Sequence, residues 1–389
     1  MSQRLSIIPK PLRFLCLVGL CTQLLACASV SPPTDAQLER LLQWRPVEAS
    51  NLSLPSQEDL FRLTPDMEAF IHEHVDSASR YGRLRQLTKA LISSEGLALS
   101  YDASANGTAA EVFQQRRSNC LSFAILFMAF ADYLQLDAYA NEVRIPQTWD
   151  VHGRNTLVTY RHVNVVAMGS SRRQWVVDLN QGIYSPYYPQ RKMNERALLA
   201  SLYNNMAVEF MLAKQYDAAY AAYLASIDFS PRDEDTWSNL GNLMKRVGEP
   251  ELALVAYRQA LQFAPSSVAV LSNVYELYRE QGNDVMAETL ATRVKRARER
   301  NPYYHYWLAL NAYQQQDWRG GLDKVERALA LNHEDHRFHF LKAVLLKNMG
   351  QSMQSARAIE QAKLLGPAKK ASHYSAWLDL LTLDSPAES

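Results

Sequence analysis

Trp237-Ser238-Asn239-Leu240-Gly241, followed by Ala253, Tyr257, Ala260 and Pro265, is the stretch that decides the fold of the C-terminal half. Its pattern returns at a fixed interval. Pro231 and Pro265 lie 34 residues apart, as do Gly248 and Gly282, and Gly350 and Pro367 keep the same registers further on. Windows opened at Ala200, Glu234, Val268, Pro302 and His336 test the interval position by position. The eighth slot holds Ala207, Gly241, Tyr275, Ala309 and Ala343, and the twentieth holds Ala219, Ala253, Ala287, Gly321 and Ser355. The twenty-seventh holds Ser226, Ala260, Val294, Ala328 and Ala362. Small residues recur where two paired helices must approach closely, with Tyr275 and Val294 as the main departures.

A 34-residue period is that of the tetratricopeptide repeat, which residues 200–367 resemble over about five repeats, most cleanly in the second window. The resemblance implies an all-α solenoid of stacked helix pairs whose concave face binds a protein or peptide. Tyr203, Phe210, Trp237, Tyr278, Trp307 and Tyr313 are candidates to line that face, against the plainer role of packing between repeats. Residues 368–389 are expected to form a polar-faced capping helix and a tail.

At the other end, Arg4, Lys10 and Arg13 precede an apolar run from Phe14 to Leu25 that is too short to span a bilayer comfortably. Residues 1–26 therefore read as a signal peptide. Leu24-Leu25-Ala26-Cys27 resembles the lipobox of bacterial lipoproteins, which implies lipidation of Cys27 and a membrane anchor. Ala28 after that cysteine implies the periplasmic face of the outer membrane. Residues 27–55 are then a lipidated tether and linker, and residues 56–195 a separate domain.

Losing the three basic residues of the signal leaves 41 less three against 40 acidic ones, a formal charge of −2. Nothing in that balance favours nucleic acid. Cys16 and Cys21 leave with the signal and Cys27 carries lipid, so Cys120 remains as a free thiol that cannot staple the fold.

Cys120 opens the run Cys120-Leu121-Ser122-Phe123-Ala124-Ile125-Leu126-Phe127, which continues apolar to Leu134 and predicts a buried helix. A cysteine in the first turn sets its sulfur against the positive end of the helix dipole, which favours a thiolate. Before it, Thr64-Pro65-Asp66 predicts an N-capped helix to about Ser77. Further helices are expected over 82–95 and 109–115. After it the period becomes two, predicting strands over 138–145, 155–160, 162–168 and 174–179. If Ser170 centres a hairpin between the last two, Met168 faces Arg172 and His162 faces Asp178. Nucleophile, base and orienting acid are the three roles of a cysteine triad.

This order resembles the transglutaminase-like cysteine superfamily, on the blocks Arg116-Arg117-Ser118-Asn119-Cys120-Leu121-Ser122, Arg161-His162-Val163-Asn164-Val165 and Trp175-Val176-Val177-Asp178. The resemblance implies an α+β domain of papain or transglutaminase type, with a cysteine-bearing helix packed on an antiparallel sheet, and thiol acyl transfer at amide bonds. Ser118 stands where family members often have glycine. Each residue has a plainer role as well: Cys120 as a small core hydrophobe, His162 as a satisfied strand histidine, Asp178 as the polar end of a strand.

The Cys120 backbone N–H is the expected oxyanion donor, with Gln114 as a side-chain alternative or a solvent-facing glutamine. Trp149 either walls a cleft or anchors a loop. His333, His336 and His339 cluster, as do His72 and His74, but no cysteine or carboxylate completes a ligand set, so neither metal nor other cofactor is expected. Two functions follow: a membrane-anchored cysteine hydrolase or acyltransferase whose repeats recruit substrate, or a non-catalytic repeat adaptor for a cell-envelope complex.

Overall fold

The computed structural model describes residues 31–44, 54–144, 148–149, 157–158, 161–169, 174–180, 184, 188–366 and 374. The signal peptide, Cys27 and all of the expected capping helix except Tyr374 lie outside them, as does the Trp149 side chain. Among the described residues no helix is long and apolar enough to cross a membrane.

The N-terminal part holds helices α1 (Asp35–Leu42), α2 (Gln57–Phe61), α3 (Pro65–His74), α4 (Arg80–Ile92), α5 (Ala109–Gln115) and α6 (Cys120–Tyr133). Thr64 caps α3 by accepting the Met67 N–H, with Pro65 at the first helical position. Helix α6 is buried nearly all round, with Phe123, Phe127 and Phe130 almost wholly covered. Each such ring removes apolar surface worth roughly 1.5–3 kcal/mol.

The strands are β1 (Ser100–Tyr101), β2 (Arg117–Ser118), β3 (Ala138–Arg144), β4 (Thr148–Trp149), β5 (Leu157–Val158), β6 (Arg161–Met168), β7 (Gln174–Val177) and β8 (Gln190–Lys192). Four of them form an antiparallel sheet in the order β7-β6-β3-β8. Val163, Val165 and Ala167 alternate along β6 into the core shared with α6. Separate from that sheet, β4 and β5 make a short antiparallel pair.

The C-terminal half is an all-α repeat array of five helix pairs: α7 (Glu195–Leu212) with α8 (Tyr216–Phe229), α9 (Glu234–Arg246) with α10 (Pro250–Phe263), α11 (Val268–Glu280) with α12 (Asp284–Glu299), α13 (Pro302–Gln314) with α14 (Trp318–Leu331), and α15 (His336–Asn348) with α16 (Ser352–Leu365). The 34-residue interval fixes nearly every boundary. The first helices of the five pairs end at 212, 246, 280, 314 and 348, and the second helices begin at 216, 250, 284, 318 and 352.

The turn inside each pair needs a left-handed residue. That position is occupied by Lys214, Gly248, Gly282, Gln316 and Gly350, all at positive φ and all in the same register. The close approach at Gly241 is equally literal, since a methyl there would lie 2.5 Å from the Tyr257 ring.

Two features tie the halves together. Leu198, Leu199, Leu202 and Tyr203 of α7 belong to the core of the N-terminal domain, so the first repeat helix serves both units. Helix α1, inside the segment expected to be tether, is docked on the repeats: Leu41 is fully buried, its carbonyl accepts the Tyr220 hydroxyl at 2.9 Å, and Trp44 meets the Tyr220 ring edge-on. Its start is fixed by a capping box between Thr34 and Gln37.

Candidate functional site

The first turn of α6 is pinned from the loop before it. Asn119 caps the helix by accepting the Ser122 N–H at 2.9 Å, and donates from its own amide to Asn106 at 2.7 Å. Ser122 in turn accepts the Gly107 N–H at 3.0 Å. These bonds hold Cys120, a free and half-buried thiol, at a set place on the helix N-terminus. The Cys120 and Leu121 N–H groups in that turn have no intrahelical acceptor, so they are available to a developing oxyanion. Gln114 stands exposed on α5 and makes no hydrogen bond among the described residues. Ser118, the residue in place of glycine, is fully buried, and its hydroxyl has no partner among the described residues.

The base and its orienter are deeper. His162 Nε2 lies 2.7 Å from Asp178 Oδ2, with the two side chains 2% and 4% exposed. Cys120 lies close enough to the same imidazole to act on its proton affinity. Because Nε2 is taken by Asp178, Nδ1 is the nitrogen left for the thiol. Burial alone would push His162 down, but its hydrogen bonding to Asp178 and Cys120, with their charges, outweighs it and raises it from 6.5 to about 9.

Asp178 is itself held: its other oxygen accepts the Asn180 N–H at 2.8 Å, and Asn164 Nδ2 reaches it at 3.5 Å. Asn164 accepts from Asn141 at 2.9 Å, and Asn141 also donates to Gln190, extending the support across β3 to β8. Asn141, Asn164 and Gln190 carry this network and were not singled out from sequence.

The hairpin register corrects the expected pairing. Met168 pairs with Gln174 rather than Arg172, and Val165 with Val177. Continued one step, this sets Asn164 rather than His162 opposite Asp178. The connection is two residues longer than a turn centred on Ser170. A two-residue slip preserves the face, so His162 still meets Asp178 as a diagonal neighbour.

The aromatic candidates of the repeats divide. Tyr203, Trp237 and Tyr278 are buried and cannot face a partner: Tyr203 donates to the Pro55 carbonyl, Trp237 to the Pro231 carbonyl, and Tyr278 accepts from Arg258. Phe210 and Trp307 are half-buried, Trp307 stacking on Tyr304, and Tyr313 is exposed.

The histidines do not converge. His336 is buried between the Tyr188 and Tyr374 hydroxyls at 3.1 and 2.6 Å, and His339 bonds the His333 carbonyl at 2.8 Å. His72 meets the Tyr133 hydroxyl, while His74 bonds the Phe70 carbonyl.

No family model matches the chain, and no curated protein does. Among solved structures, the chain is similar to PilF of Pseudomonas aeruginosa at 20% identity and a TM-score of 0.26, covering 49% of this chain and 96% of that one. It is similar to a thermophilic TPR protein of Thermus thermophilus, TTC0263, at 17% identity and a TM-score of 0.26, covering 47% and 99%. MamA of Desulfovibrio magneticus follows at 14% identity and a TM-score of 0.26, covering 44% and 96%. The repeat fold itself rests on this chain's own evidence, five helix pairs at an interval of 34 residues.

Proposed function

We propose that the chain performs thiol acyl transfer on peptide or protein amide bonds, with Cys120 as nucleophile, His162 as base and Asp178 as orienter, and with the repeats recruiting the protein that carries those bonds. One observation supports it above the rest: an accessible free thiol lies in reach of a buried histidine whose far nitrogen is fixed at 2.7 Å by a buried carboxylate.

In this reading Cys120 gives its proton to His162 Nδ1, and the sulfur attacks the amide carbonyl. N–H groups in the first turn of α6 hold the oxyanion. The His162 proton passes to the leaving amine as the C–N bond breaks. Water or a second amine, deprotonated by His162, then releases the acyl group from the thioester.

The resemblance to transglutaminase-like enzymes supports the same assignment, since the cysteine opens a helix and the histidine and aspartate lie on or beside neighbouring strands. The lipobox-like Leu24-Leu25-Ala26-Cys27 supports a lipid-anchored site at the periplasmic face of the outer membrane.

A second reading, a non-catalytic adaptor that assembles a cell-envelope complex through its repeats, is favoured by the comparisons, which are with repeat proteins. The two separate on a trapping experiment. Full-length protein is incubated with a library of glutamine-containing peptides and hydroxylamine, and hydroxamates are measured by mass spectrometry. Acyl transfer predicts hydroxamates that vanish in Cys120→Ala. Equal product with and without the thiol, together with full complementation of a deletion strain by Cys120→Ala, establishes the adaptor instead.

A further inference from the structure

We propose that the cleft between the β3–β8 side of the sheet and the repeat loops binds an acidic stretch of polypeptide, through Arg144 and the arginines at the C-terminal end of α12 and just past it. The site lies apart from the thiol chemistry, and the proposal stands whether or not Cys120 reacts.

The cleft has a cavity volume of about 1170 Å³. One wall is the sheet edge, carrying Arg144, Tyr188 and Arg191; the other is built from loops joining successive repeats and from the end of α12. Tyr188, which lines the cleft, meets His336 of the last repeat through its hydroxyl at 3.1 Å.

Charge in the cleft is unevenly committed. Most of its acidic side chains are engaged: Glu142 accepts from Arg191 at 3.0 Å, Asp335 pairs with Arg337 at 2.8 Å and Asp233 caps α9 through Thr236, while Glu334 is exposed beside His333. Glu234 and Asp235 have partners too.

Three of its arginines are not, although Arg191 pairs with Glu142 and Arg232 lies over the Phe263 ring. Arg144, Arg296 and Arg300 are exposed and their side chains engage nothing among the described residues. Arg293 donates from one nitrogen to the Pro265 carbonyl, while its other terminal nitrogen is buried without an acceptor.

Spacing aligns these groups. Arg293, Arg296 and Arg300 recur at three and four residues, along one side of the helix end. Basic residues in a last turn also offset the helix dipole, but that effect fades within one turn and does not reach Arg293. Helix α12 is a departure from the repeat rule as well, with 16 residues where the other four second helices have 14.

Guanidinium groups with unused parallel donors match carboxylates in bidentate geometry. Across the cleft, Arg144 follows Val143, which pairs with His162.

The test uses the full chain and a fluorescent twelve-residue peptide of alternating glutamate and glycine, with a glutamine counterpart as control, read by anisotropy. The acidic peptide is expected to bind at least tenfold more tightly than the control, and more weakly as salt rises from 50 to 300 mM. Arg296→Glu with Arg300→Glu is expected to weaken it at least tenfold with unchanged circular dichroism, and Arg144→Glu alone to weaken it from the opposite wall. Equal binding of both peptides, or no effect of charge reversal in a folded variant, overturns the proposal. So does arginine-dependent binding to phosphatidylglycerol vesicles without binding to the peptide, which would make the partner a membrane.

Discussion

Replacing Asp178 with asparagine keeps the size of the side chain and removes the charge that holds a proton on His162. The rise of His162 from 6.5 to about 9 corresponds, at about 1.36 kcal/mol per tenfold, to roughly 3 kcal/mol favouring the protonated ring. The ring is 2% exposed, so little of this is lost to solvent screening. Asp178 supplies the largest favourable share, ahead of Cys120, and burial works against both. Without the carboxylate, His162 should therefore fall well below 9.

The assay is a titration of histidine-labelled protein by NMR, with the His162 signal identified by its loss in His162→Gln. Because the folded value lies above the unfolded one, the pair's contribution to stability is complete below about pH 6.5 and declines as the pH rises through about 9. Denaturant unfolding of the wild type should show that decline, and Asp178→Asn should not. A wild-type midpoint near 6.5, or one that Asp178→Asn leaves unmoved, refutes the assigned roles.

Two further outcomes test the repeat half. Gly241→Ala drives a methyl into the Tyr257 ring and should cost about 1–3 kcal/mol, seen as a lowered Tm with activity towards small thiol reagents unchanged. Gln316→Gly relieves a left-handed residue at φ 60° where three other repeats already have glycine, and should stabilise by about 0.5–1 kcal/mol in urea unfolding.

Much of this architecture was legible because local rules and packing agreed. The windows opened at Glu234, Val268, Pro302 and His336 coincide with helix starts, and Cys120 begins a helix whose apolar circumference could only be buried. The hairpin register was not legible to the residue. Gly169-Ser170-Ser171 marks a turn without fixing its length, yet period-two alternation kept His162 and Asp178 on one face through the two-residue slip.

Thr34 and Gln37 spell a capping box that marks the start of α1, but its docking depends on Tyr220, far away in the sequence. The aromatic residues were the hardest to place. A repeat pattern states that Trp237 and Tyr278 recur on helices, but whether each ring turns inward depends on the residues packed against it. Asn141 and Asn164 were invisible for a similar reason: their roles exist only once β3 and β6 are aligned.

The most direct test of a working triad is the pH profile of Cys120 alkylation by iodoacetamide, followed on the Cys120 peptide by mass spectrometry in the wild type and His162→Gln. A triad predicts a rate nearly flat from pH 6 to 8 and at least tenfold faster at pH 7 than in the variant, since the imidazolium stabilises the thiolate. A wild-type rate that climbs tenfold with each pH unit, and that His162→Gln leaves unchanged, contradicts it.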